Sequence, residues 1–255
     1  MDAFSYADHW VEPASETPGR LIRRGFVWMA VIIGLTFLLP VLYGAAIGIH
    51  NSRGGPPWTL DRPLTVFLSG LGLDAGLIVA SLFRGRAVGD GRLRDGLGLD
   101  PIERPGLLIF LILACMAVPV FYTLIFQALL HEPLGWLLQD RLHQAWGDGP
   151  PTSVRVLIMT VIMAPIAEEL FFRGWLWTGL SRHMGPLAVC LITGIPFLLA
   201  HLPGGSYKPI VLIPATIFIS VARHCCGGIR ASMLVHGFNN LAAMASLLVM
   251  HNMVR

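Results

Sequence analysis

The run VIMAPIAEELFFRGWLW, residues 161–177, suits hydrocarbon except at Glu168, Glu169 and Arg173. Glu169 and Arg173 are four apart, so on a helix they share a face and can pair. Glu168 lies roughly 100° round the helix, on a different face. The spacing predicts one carboxylate tied to the guanidinium and one left free. Pro165, just ahead of Glu168, removes a backbone N–H and is expected to bend this helix where a site opens between helices. Two further apolar segments carry polar groups. PFLLAH places Phe197 four before His201, so the ring can stack beneath the imidazole. HGFNN places His236 and Asn240 on one face, with Asn239 on a neighbouring one. Two donors aimed at one point suit a developing oxyanion.

The turn between the two segments that carry Glu168 and His201 falls near residues 183–186. Each residue lies about sixteen positions from its centre, so an antiparallel pair brings them to equal depth at about 1.5 Å per residue. His236 sits closer to its own turn and is not level with them without tilt or a kink. Each group also has a simpler reading. A Glu–Arg pair can clamp helices, His201 can sit at a membrane interface, and HGFNN can hydrogen-bond helices together. Asp74, among glycines and without a partner in sequence, is structural or unexplained. Ionisable groups at bilayer depth cost about 2.5–3.5 kcal/mol each on insertion scales, which favours a site over three coincidences.

The elements that must position these groups follow from composition. Hydrophobic residues make up 55% of the 255 and charged residues 13%, about half the charged fraction of a soluble domain. Mean hydropathy is +0.67. The chain is therefore expected to be an all-α, polytopic transmembrane bundle. Apolar segments fall at about 26–49, 64–83, 106–130, 154–180, 186–202, 208–223 and 230–250. Residues 1–24 read as a polar tail and 25–255 as one membrane domain. The first apolar run is too long for the apolar region of a signal peptide and reads as an uncleaved span. Residues 134–146, LGWLLQDRLHQAW, alternate apolar and polar faces and predict an interfacial amphipathic helix bordering the substrate entrance.

With the N-terminus cytoplasmic, twelve basic residues fall inside and six outside, and the loop after the second span supplies five of the twelve. The net charge of +3 forms no basic patch with interleaved aromatics, so no nucleic-acid partner is expected. The cysteines, Cys115, Cys190, Cys225 and Cys226, lack the spacing of a disulfide framework or zinc site. Cys225 and Cys226 read as loop residues without a role, or as lipidated or redox-active.

Taken in order, EELFFR (EExxxR), FLLAH (FxxxH) and HGFNN (HxxxN) resemble the CAAX prenyl endopeptidase and bacteriocin-processing family, the type II CAAX-protease-like intramembrane proteases. The resemblance covers about 154–250 as a catalytic core, and the glycine-rich LRDGLGLDP is also similar. It implies a glutamate-dependent peptide hydrolase with no metal or other cofactor. Glu168 and His201 would activate a water, and His236 and Asn240 would form the oxyanion hole. Glu169, Arg173, Phe197 and Asn239 would support them. Some relatives have an eighth span, so seven or eight are expected. The implied substrate is a membrane-anchored or lipidated protein or peptide.

Arginine used almost to the exclusion of lysine points to a high-GC bacterium, and hence to a bacterial cytoplasmic membrane. Three alternatives stand beside the protease. One is a non-proteolytic immunity or scaffold protein of the same fold. Another is a zinc-dependent membrane protease, although HExxH is absent. A transporter would show paired repeats of broken helices, and none is visible.

Overall fold

A computed structural model describes residues 17–54, 56–59, 62–130, 157–202 and 208–253. The polar tail to residue 16 and the interfacial helix expected at 134–146 lie outside the described residues. Every regular element among the described residues is helical: α1 (Pro18–Thr36), α2 (Leu38–Ser52), α3 (Arg62–Val88), α4 (Leu93–Leu97), α5 (Pro105–Leu130), α6 (158–181), α7 (Pro186–Ala200), α8 (Lys208–Val211), α9 (Ile213–Cys225) and α10 (Ile229–Met253).

Two of these stretches, Pro18–Ser52 and Leu64–Val88, are long and apolar enough to cross a membrane. Pro105–Ala117, Pro186–Ala200 and Ile213–Cys225 are shorter apolar helices. The expected segments thus recur as helices, while two meet the length and hydropathy of a span among the described residues. Prolines explain part of the difference. Pro40 has no N–H for the Thr36 carbonyl, and α1 gives way to α2 at Phe37. Pro214 likewise withdraws a donor, and the expected segment 208–223 is two helices broken at Leu212. The glycine-rich loop after α3 contains α4.

The outer faces are apolar. Leu187, Leu191, Ile195 and Leu199 form an exposed stripe along α7, and Ile109, Phe110 and Leu113 project from α5. Such surfaces fit lipid far better than water. Helix α6 is central and packs against α3, α4, α7 and α10. Phe171, Phe172, Trp175, Leu176 and Trp177 on it are all buried.

The glycine-rich loop has a structural purpose. A Cβ on Gly96 would run into the Gly85 carbonyl oxygen and stand 2.8 Å from the Gly89 nitrogen. Helix α4 therefore lies backbone to backbone on the end of α3. Just beyond it, the Gly98 carbonyl accepts from the Ile229 N–H at 2.9 Å, and the Cys226 carbonyl accepts from the Glu103 N–H at 3.0 Å. These bonds dock the loop onto the turn between α9 and α10. Gly96→Ala is expected to cost about 1–3 kcal/mol by overpacking, read as a lower melting temperature in detergent. Gly19→Ala, in open space, is the control; equal melting of the two would contradict this packing. In the same turn, burial pushes the Cys226 thiol above its ordinary range, with Cys225 adding to the shift. A thiol held protonated is a poor nucleophile, which favours the reading of Cys226 as a residue without a chemical role over the lipidated or redox-active one.

Candidate active site

Helix α6 is not wound uniformly. Ile158–Met163 and Leu170–Leu176 are π-helical, and Ala164–Glu169 between them is α-helical. Pro165 offers the Val161 carbonyl no N–H, which accounts for one departure from the α ladder. That carbonyl faces α10 at Gly237, where a Cβ would stand 3.2 Å from it. Single π turns recur at functional sites because they re-aim neighbouring side chains.

Glu169 and Arg173 are fully buried and paired, with Glu169 Oε1 3.2 Å from Arg173 Nη1. The expected pairing is present. The same oxygen lies 3.1 Å from His236 Nδ1 on α10. A carboxylate paired with arginine only accepts, so Nδ1 carries the proton. Arg173 also lies 4.5 Å over the Phe197 ring, a cation–π contact that partly replaces missing oxygen partners.

Glu168 is placed differently. Its side chain is 15% exposed, and Oε2 lies 3.7 Å from His236 Nε2 without a hydrogen bond to any described group. The carboxylate also interacts electrostatically with His201, as the depth arithmetic expects. The main chain orients His201: Nδ1 lies 2.8 Å from the Phe197 carbonyl. A carbonyl only accepts, so Nδ1–H donates and Nε2 keeps its lone pair in the neutral ring. The Phe197 ring does not stack beneath His201. The two are tilted by 56° with centroids 4.8 Å apart, because the helix-end backbone bond, rather than ring stacking, sets the imidazole.

The HGFNN group divides its contacts among three helices. Asn240 Nδ2 donates to the Thr160 carbonyl of α6 at 2.9 Å. Asn239 is buried; its Nδ2 lies 3.4 Å from Asn240 Oδ1, and its Oδ1 is 3.7 Å from Cys115 Sγ of α5. His236 meets both glutamates although it lies closer to its turn, because α10 packs directly on α6.

Two neighbours of Glu168 were not assigned to the site by the motifs. Asp74 on α3 is buried and interacts electrostatically with Glu168. Its signal was being the sole carboxylate in an otherwise apolar segment. Lys208, the one lysine of the chain, also interacts with Glu168. Among the described residues no three His, Cys, Asp or Glu side chains are arranged to hold a metal ion.

Residues 150–242 match the family model described as type II CAAX prenyl endopeptidase Rce1-like. The match contains all three motifs and is consistent with the resemblance they carry. Comparison with curated proteins and with solved structures returns no match.

Proposed function

We propose that this chain is a membrane-embedded endopeptidase in which Glu168 is the general base. One observation carries the reading. Of two adjacent carboxylates, Glu169 is fully buried with its Oε1 held by both Arg173 and His236, whereas Glu168 is partly exposed, lies 3.7 Å from the His236 imidazole and interacts electrostatically with that of His201. In the reaction, a water lies between Glu168 and His201 Nε2. Glu168 takes its proton as the oxygen attacks the peptide carbonyl carbon. The charge that develops on the carbonyl oxygen is met by His236 at Nε2 and by the second amide N–H of Asn240. The tetrahedral intermediate then collapses, and Glu168 returns the proton to the leaving amine, so proton and bond counts balance. Each such oxyanion donor typically lowers the barrier by about 2.7–4 kcal/mol.

The substrate is a membrane-anchored or lipidated protein or peptide, reached from the bilayer of a bacterial cytoplasmic membrane. In this reading the expected seven segments all lie in the membrane, with the N-terminus cytoplasmic. The test is proteomics of membrane and secreted fractions from cells carrying wild type or Glu168→Gln at matched protein levels. A peptide cut by wild type and intact in the variant is the expected result. Unchanged processing by a folded variant would favour a scaffold that binds without cutting. Metal chelators are expected to leave cleavage intact. Loss of cleavage restored by added zinc would move the assignment to a metalloprotease.

A further inference from the structure

Each π turn of α6 frees a main-chain carbonyl, and a side chain from another helix captures it. At the first, the Ala164 N–H bonds the Met159 carbonyl rather than that of Thr160, and Asn240 takes the Thr160 oxygen at 2.9 Å. At the second, the Trp177 N–H bonds the Phe172 and Gly174 carbonyls. The Arg173 carbonyl between them receives Arg223 Nε at 2.8 Å. Asn240 belongs to a motif that carries the proposed chemistry. Arg223, on the last turn of α9, belongs to none of the three motifs.

We infer that Arg223 is a positioning residue for the site. It holds the widened turn in which the Arg173 guanidinium meets Glu169 and Glu169 meets His236. This inference rests on the proposed function above. Arg223 serves this turn from more than one direction. Its Nη2 donates to Thr178 Oγ1 at 3.1 Å, and its guanidinium lies 6.0 Å from the Trp177 ring centroid. A Cβ on Gly98 would collide with Nη2, so the glycine loop leaves this space to the guanidinium.

The physical consequence of losing the contact is specific. A buried carbonyl without a donor is costly, and the turn can recover its ladder by returning to α geometry. That change removes one residue from the turn and rotates the helix on its N-terminal side by roughly 100° relative to the C-terminal side. Glu169 precedes the turn and Arg173 lies within it, so their registration with each other and with His236 depends on the extra residue. A planar guanidinium can donate from Nε and Nη2 in two directions at once, which a lysine ammonium on one stem does less well.

The experiment uses the full chain in detergent micelles, labelled with 15N-histidine, with His236 ring signals assigned through His236→Gln. Arg223→Met is expected to shift both His236 ring nitrogens and to lower turnover of the peptide identified with wild type by roughly 10–100-fold at unchanged KM. Arg223→Lys, retaining a donor for the Arg173 carbonyl, is expected to recover most of both. Thr178→Val, which removes only the second contact, is expected to alter neither. His236 signals that coincide in wild type and Arg223→Met overturn the inference, even if the melting temperature falls. If Arg223→Met does not fold, the same signals in Arg223→Lys decide it: a small shift supports it and no shift overturns it. Cleavage that survives Glu168→Gln overturns the protease reading instead, and the His236 signals still decide the role of Arg223.

Discussion

Arg173→Met is expected to destabilise the protein by about 3–5 kcal/mol, because it leaves Glu169 as a buried charge without its cation. Both side chains of this pair are fully buried. Methionine fills much of the volume and keeps contact with Phe197 but offers no charge or donor. Glu169 then keeps the His236 contact at 3.1 Å and the Ser232 hydroxyl, neither of which replaces the lost cation. The double variant Arg173→Met, Glu169→Leu removes both charges and is expected to melt well above the single one, since an apolar pair of similar size often matches a buried ion pair. Melting in detergent checks both. A double variant no more stable than Arg173→Met would count against an unpaired Glu169 as the cause.

Glu168→Gln is expected to lower the rate of cleavage by about 10²–10⁴-fold, the usual contribution of a general base, and to leave melting unchanged. Glutamine keeps the volume but cannot accept the proton of water. Stability holds because Glu168 Oε2 forms no hydrogen bond among the described residues. Glu169→Gln is the contrast. It weakens a buried pair and the donor contact of His236, so it is expected to lower both activity and melting temperature. Measuring the two adjacent variants side by side separates chemistry from support. Full activity in a folded Glu168→Gln would remove Glu168 from the mechanism.

Much of this site is legible from residue types and spacing. Glu169 and Arg173 pair as an i, i+4 helical pair should, and equal distances from a turn put Glu168 and His201 within electrostatic reach of each other. The π turns are not legible, because winding is set by which distant donors reach a carbonyl. Arg223 illustrates the point: its type is one arginine among many, while its contact depends on the end of α9 reaching the Arg173 carbonyl of α6. His236 escapes the depth arithmetic for the same reason, since its partners lie on a helix that its own turn does not join. The apolar segments are legible from hydropathy. Their interruptions at Phe37 and Leu212 required treating Pro40 and Pro214 as missing donors.

The contacts of α10 also bear on how the molecule is made. The second half of α6 and the residues it buries leave the ribosome some sixty residues before His236. Until α10 arrives, Glu169 has Arg173 but lacks His236, and the Thr160 carbonyl lacks Asn240. The helix carrying the proposed base is therefore unfinished when it is first made, and α10 completes it. A nascent chain stopped before residue 229 lacks His236 and Asn240, so in the proposed mechanism it has no oxyanion donors and is expected not to hydrolyse a peptide. Residues 229–255 supplied as a separate polypeptide are expected to restore the missing contacts by assembly, which would tie the timing of the proposed activity to biogenesis.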